Sequence, residues 1–252
     1  MIADSDNPPI RITNVADLIG CIHDMLVADN EIRWFRGHRV ASWNVQPHIW
    51  RSFTTDDERN FTNRFRTRAA LRRPSSPAGH DYSGWLGLMQ HYGLPTRLLD
   101  WTRSPLIAAY FALAPYQAAA TPEDDAAIWI LKPHTLNPLE GYEALTYPID
   151  STALDPMIQP AFRSTVPENG RVIATMAVET DIRMFVQQGA FTIHSDRMPL
   201  NRRPGNGRYL VPLLIEAAHV RRMAWEIRIC GITRGDIFPD LSNLADELKG
   251  LP

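Results

Sequence analysis

The chain has 252 residues, a hydrophobic fraction of 44% and a net charge of −2. That length buries a large core, as one big domain or two small ones, and the near balance of charge argues against a general polyanion binder while allowing a local basic patch. The two cysteines, Cys21 and Cys230, have no paired spacing, which argues against a disulfide framework or a thiolate zinc site and suits a reduced compartment.

The first residues, Met-Ile-Ala-Asp-Ser-Asp-Asn-Pro-Pro, lack a basic and an apolar signal region, and no apolar run approaches bilayer length. The expectation is a cytoplasmic protein without a membrane partner. Val15, Leu18, Ile19, Ile22 and Leu26 recur at helical spacing behind Asn14, so a helix is predicted over Val15–Asp29 with Asn14 as its cap. Ile32–Arg36 reads as a short strand ended by Gly37, with Ile32, Trp34 and Arg36 on one face and Arg33 and Phe35 on the other. Asp56–Arg73 reads as a largely solvated helix with acids first and bases last, an order that suits the helix dipole.

Trp85, Leu88, Met89 and Tyr92 predict a short amphipathic helix that Gly93 and Pro95 stop. Leu98–Thr102 is a strand, and Ser104-Pro105 form the N-cap and first position of a helix ending at Pro115. The apolar run Ala126–Leu131 predicts a buried strand. Residues 132–170, rich in proline and weak in periodicity, read as an irregular insertion.

Arg171–Val178 predicts a strand, Thr180–Gln187 a helical turn, and Ala190–His194 and Tyr209–Ile215 two further strands. Met198–Gly207 reads as a polar loop. His219–Cys230 carries apolar residues at helical spacing, with Cys21 and Cys230 each placed in an apolar stripe, and a last helix is expected near Leu241–Leu248, capped by Asp240. No repeat or linker divides the chain, so residues 1–252 are read as a single domain. Strands and helices mix without βαβ alternation, which predicts an α+β fold with a mixed or antiparallel sheet flanked by helices.

Generic catalytic motifs are missing: there is no Gly-x-Gly-x-x-Gly, P-loop, His-Glu-x-x-His or Gly-x-Ser-x-Gly. The histidines and acids fall at no ligand spacing, so no metal is expected. Arg36 beside Gly37 offers a planar charged fork next to open backbone, suited to a phosphate or carboxylate, or to a structural salt bridge. Asp100 and Thr102 share a strand face within an apolar run. A carboxylate there needs a partner, for which Arg36 and Arg97 are the candidates. His91 is read as an acid–base group or a core histidine, with Gln90 sharing that ambiguity. Gln187 is assigned to a turn and Gln188 to a site.

Four strings carry a resemblance: Trp34-Phe35-Arg36-Gly37-His38, the long Gln90–Thr102 string with its continuation Ser104–Ala112, Gln187-Gln188-Gly189-Ala190-Phe191-Thr192, and Ile237-Phe238-Pro239-Asp240-Leu241. At these strings the chain resembles the FRG domain family over about residues 30–250, outside the variable stretch near 132–170. More weakly, the order of elements is similar to the ADP-ribosyltransferase superfamily. There a first strand presents an arginine, a second carries hydroxyl residues and leads into a helix, and a third begins with an acid. Phe35-Arg36-Gly37, Asp100-Trp101-Thr102 and Gln188 stand at those three places, with Gln in place of the acid.

The resemblance implies an ADP-ribosyltransferase-like fold and NAD as substrate. Asp100, Gln188 and His91 would be catalytic, and Arg36, Gly37, Arg97 and Thr102 would bind NAD. A protein or nucleic-acid acceptor, and the role of a toxin or phage-defence effector with an antitoxin partner, follow from that class alone. Two other readings stay open: a module that senses a nucleotide or ADP-ribose without chemistry, and a nucleic-acid-binding protein using Arg64, Arg66, Arg68, Arg72, Arg73, Arg202 and Arg203.

Overall fold

The computed structural model describes residues 2–69, 72, 76–117, 121–177, 182–241, 243, 245 and 249. Short-range signals set most of its elements. Helix α1 spans Val15–Asp29, and the Asn14 side chain accepts from Asp17 N at 2.8 Å, which satisfies one of the open donors of its first turn. Ser104 caps α5 (Pro105–Leu113) in the same way, and a 3-10 turn over Ala114–Gln117 carries the chain past the expected end.

Between these come β1 (Ile10–Arg11), β2 (Trp34–His38), α2 (Ile49–Ser52), α3 (Thr55–Ala69), α4 (Tyr82–His91) and β3 (Leu98–Thr102). After α5 follow β4 (Ala126–Leu131), α6 (Pro133–Leu139), β5 (Tyr147–Pro148), α7 (Asp155–Ile158), β6 (Val172–Met176), α8 (Ile182–Val186), β7 (Gly189–His194), β8 (Leu210–Ile215), α9 (Ala217–Ile229) and α10 (Arg234–Ile237). The fold is α+β. Eight strands form one mixed sheet in the order β1-β8-β4-β2-β3-β7-β6-β5, antiparallel throughout except for the parallel end pairs β1/β8 and β5/β6.

The two faces of the sheet bury different partners, as alternation along each strand requires. One face presents Trp34, Leu99, Trp101, Trp129 and Ala190, packed under Ala41, Val45, Leu200 and Tyr209 from irregular segments. The other carries two helical clusters. Phe35, Ile128, Ile130 and Leu213 pack against α5 and α9, while Leu98, Ile173, Phe191 and Ile193 pack against α4 and α7.

Several expectations need correction. Strand β2 does not stop at Gly37 but pairs through His38 with β4. Residues 132–170 are no loose insertion: Leu136, Ile149, Leu154, Met157 and Ile158 are core. Buried Asn137 ties the segment to β6, donating to Leu145 O and Ala174 O and accepting from Ala174 N. Prolines hide the periodicity of this segment because its helices are only a turn or two long. Cys230 is exposed at the end of α9, outside the buried stripe. Asp240 Oδ1 accepts from Asn243 N, as a cap should, while Ser242, Leu244 and 246–248 of the expected last helix lie outside the described residues, as do Val178, Thr180 and Asp181.

Gly37 is required by close approach. A Cβ there would lie 2.0 Å from Ala108 O and 2.6 Å from Ala112 N, both backbone atoms of α5. Glycine thus lets the helix rest directly on the strand. Alanine normally stabilises a strand relative to glycine, yet Gly37→Ala is expected to destabilise by about 1–3 kcal/mol through overpacking. A urea unfolding midpoint equal to or above that of the wild type would show that α5 yields without cost.

Candidate functional site

The sheet opens between β2 and β3. Only Phe35 and Thr102 pair across it, whereas β2/β4 and β3/β7 each run through five residue pairs. Beyond that single pair the Asp100 carbonyl receives Arg36 Nη1 at 2.6 Å, and Arg36 Nε donates to His38 Nε2 at 3.2 Å. Burial lowers the Arg36 pKa to about 10; Asp100 opposes this shift and Arg51 adds to it. The guanidinium therefore stays charged at neutral pH.

The Asp100 side chain leaves the sheet on the helical face, between the α5/α9 and α4/α7 clusters. It is not buried, contrary to the expectation from its apolar flanks: its side chain is 59% exposed. Gln90 Nε2 reaches its two oxygens at 2.9 and 2.8 Å. The Thr96 hydroxyl donates to Gln90 Oε1 at 2.5 Å, which fixes the amide with its donor end toward the carboxylate. Arg36 Nη1 stands 4.0 Å from Asp100 Oδ2.

Asp100 opens into a groove of about 470 Å³. Gly84, Gly87, Leu88, Gln90 and His91 of α4 form one wall, Arg183, Met184 and Gln187 another, and Phe191, Ile149 and Asp150 complete it. Asp81 closes one end, accepting from Gly84 N at 2.8 Å as the cap of α4. The groove thus joins carboxylates, one arginine, amides and a histidine to an apolar floor, a mixture that suits a small polar ligand with a flat ring.

The residues expected at a site separate into groups. Asp100 and His91 line the groove, and Arg36 borders Asp100 from the strand gap. Gly37 is packed against α5. Thr102 Oγ1 donates to Gln187 O at 2.7 Å and accepts from Ser104 N, pinning the corner between β3 and α5. Gln187 and Gln188 exchange the places expected of them. Gln188 is an exposed turn residue with a left-handed φ of 48°, and it is Gln187 that lines the groove.

Arg97 does not partner Asp100. It is fully buried, and all five of its N–H donors are used. Nε and Nη2 bind Glu58 at 3.1 and 2.6 Å, Nη1 and Nη2 bind Glu168 at 2.9 and 2.8 Å, and Nη1 binds Met157 O at 2.9 Å. Burial pulls its pKa down, and the two carboxylates more than reverse the effect. A buried cation so completely paired joins α3, α7, residue 168 and the start of β3 as a structural unit.

Several of the arginines considered for nucleic acid have partners within the fold. Arg66 lies over Tyr82, Trp85 and Phe162 and donates to Gly79 O. Arg203 is paired with Glu140 and Asp196, Arg202 stands 3.8 Å from Asp4, and Arg73 lies outside the described residues.

Residues 31–121 match the family model described as the FRG domain. Over that segment the chain is similar to FRG domains. No curated protein and no solved structure matches the chain. The matched segment of the FRG domain supplies Arg36, Gln90, His91 and Asp100, while Ile149, Asp150, Arg183, Met184, Gln187 and Phe191 come from beyond residue 121. Gly87, Ile149, Asp150, Arg183 and Met184 escaped the sequence reading, while Thr96 and Phe191 stand in its motif strings without a role. Gln187 opens one of those strings and is assigned there to the turn, but which of two neighbouring glutamines faces the groove depends on that turn.

Two predictions concern stability. Arg97→Met leaves Glu58 buried without its cation and should cost about 3–5 kcal/mol in chemical denaturation; a loss below about 1 kcal/mol would mean the cluster is solvated. His38 and His194 have pKa values well below the usual 6.5, first through burial. Arg36 and Arg51 add to the shift at His38, and Arg203, Arg36 and Arg97 at His194. Both are neutral in the fold, so below pH 6.5 the unfolded chain takes up protons that the folded chain refuses. Stability is full above that pH and should fall beneath it by up to about 1.4 kcal/mol per pH unit per histidine. Urea titrations at pH 7.5, 6.5 and 5.5 would measure the slope, and a flat profile would show that both histidines are hydrated.

Proposed function

We propose that the groove binds NAD and supports cleavage of its nicotinamide–ribose bond, passing the ADP-ribosyl group to water or to an acceptor. The observation that carries this reading is the Asp100 carboxylate, exposed at the groove, oriented by Gln90 and Thr96, and backed by the Arg36 cation. The volume of about 470 Å³ falls within the range of small-ligand sites.

The chemistry follows from that placement. As the ribose C1′–N bond breaks, its electron pair leaves with the nicotinamide nitrogen, so the pyridinium becomes neutral nicotinamide. The ribose is left with oxocarbenium-like positive charge, which a fixed carboxylate stabilises. A water or acceptor oxygen then bonds to C1′ and gives up a proton. His91, in the same wall, is the candidate to receive it. Arg183 offers a cation to the pyrophosphate.

One observation favours a second reading, a binding module without turnover. Gln188, which stands where the superfamily places its acid, is an exposed turn residue. Asp100 would then hold the ribose diol of NAD or ADP-ribose as a hydrogen-bond acceptor only.

Nicotinamide release, followed chromatographically with cell extract supplying acceptors, tests both. Asp100→Asn and Gln90→Ala should lower release by roughly 10²–10³-fold and leave the unfolding midpoint nearly unchanged, because Asp100 is exposed. Release that survives both substitutions sinks the site. Tight NAD binding with no release by the wild type selects the binding module.

A further inference from the structure

Gly87 lies in the middle of α4 and lines the groove. Glycine is the costliest residue in a helix interior apart from proline, so it needs a reason. Gly84, one turn earlier, has one: a Cβ there would lie 2.2 Å from the Asp81 carboxylate that caps the helix. Gly87 has no such neighbour, and a Cβ would meet nothing within 4 Å. Gly20 in α1 is equally open, but it sits on an exposed surface outside the groove. What a side chain at 87 would displace is the space of the groove itself.

The position of that space is defined by the helix. Gly87 and Gln90 stand three residues apart, and so face the same side one turn apart, roughly 5 Å along the axis. Gln90 is the residue that holds Asp100. A ligand whose ribose meets Asp100 has room for its adjoining ring one helical turn away, over Gly87. Phe191 and Met184, which also line the groove, supply apolar and sulfur contacts suited to such a ring.

We infer that the bare backbone of α4 at Gly87 is the platform for the planar ring attached to the ribose at Asp100, which on the NAD reading is nicotinamide. Gly87 is then a specificity-determining residue: it admits a flat heterocycle against the helix where any side chain would fill the gap. The inference rests on the proposed NAD reading for the identity of the ring, and on the groove geometry for its place.

Gly87→Leu tests it, with calorimetric titration of NAD, ADP-ribose and nicotinamide riboside against the full chain, and Asp100→Asn in parallel. The substitution replaces a poor helix former with a good one at an unobstructed position, so the unfolding midpoint should not fall. NAD and nicotinamide riboside should bind at least tenfold more weakly. ADP-ribose, which has no nicotinamide, should change less than twofold. NAD binding that Gly87→Leu leaves untouched while Asp100→Asn weakens it overturns the platform and keeps the site. Equal losses for NAD and ADP-ribose also overturn it, because some other part of the ligand would then lie over the helix. A wild-type chain that binds none of the three overturns the NAD reading and this inference together.

Discussion

Between β2 and β3 a guanidinium takes the place of a strand ladder. After the single pair Phe35–Thr102, continued register would set Gly37 opposite Asp100; instead Arg36 gives its Nη1 to the Asp100 carbonyl. A backbone carbonyl without a donor is costly, so the strands can part here only because a side chain supplies one. The three residues of the Phe-Arg-Gly string thus have separate physical tasks. Phe35 closes the last pair and packs into the helical face, Arg36 fills the gap that follows, and Gly37 admits the α5 backbone. None of these tasks tolerates exchange with its neighbour, since each depends on which face or edge of the strand the residue occupies.

The two arginine–carboxylate systems separate structure from candidate chemistry by how completely their donors are used. Arg97, with five donors satisfied and no exposure, has nothing left to offer a ligand. Its worth lies in what removal costs, because a buried carboxylate would be left alone. Asp100 is the reverse. It is exposed, held by an amide rather than by a close ion pair, and its nearest cation lies at 4.0 Å. Pairs of that kind contribute about 0–1 kcal/mol to stability. Holding an exposed carboxylate so firmly does little for the fold and much for any ligand that meets it.

The sequence was most legible where the signal is local. Asn14 and Ser104 are caps that act within three residues, and Ala126–Leu131 is a buried strand whose every side chain is apolar; all three lie where periodicity and cap chemistry put them. It was least legible where a partner lies far along the chain. Arg97 has its carboxylates 39 and 71 residues away, and no spacing rule connects them. In residues 132–170 the core positions sit on elements too short to show a period. The choice between Gln187 and Gln188 turned on one left-handed residue, since the positive φ of Gln188 directs its side chain outward. Asp100 was read as interior because its neighbours are apolar, yet a strand flanked by two helical clusters has a seam between them, and a sequence does not reveal a seam.

The groove has a mixed lining because it joins an exposed strand carboxylate to one edge of a helical cluster. The sheet carries one helical layer on this face, but the layer is two clusters, one around α5 and α9 and one around α4 and α7, with separate sets of core residues. The groove opens on the α4/α7 side, where Leu88, Ile149 and Phe191 of that cluster line it beside the exposed Asp100. Asp100 is the β3 residue at that place, and α4 turns toward it the glycine side of a helix whose other side, Trp85, Leu86 and Met89, is buried. A helix with an apolar back and a glycine in its front, beside a carboxylate that the fold does not need, is an arrangement that packing alone would not maintain. Leucine or alanine at position 87 would make a better helix and a smaller seam, so the opening itself is the feature that a function has to explain.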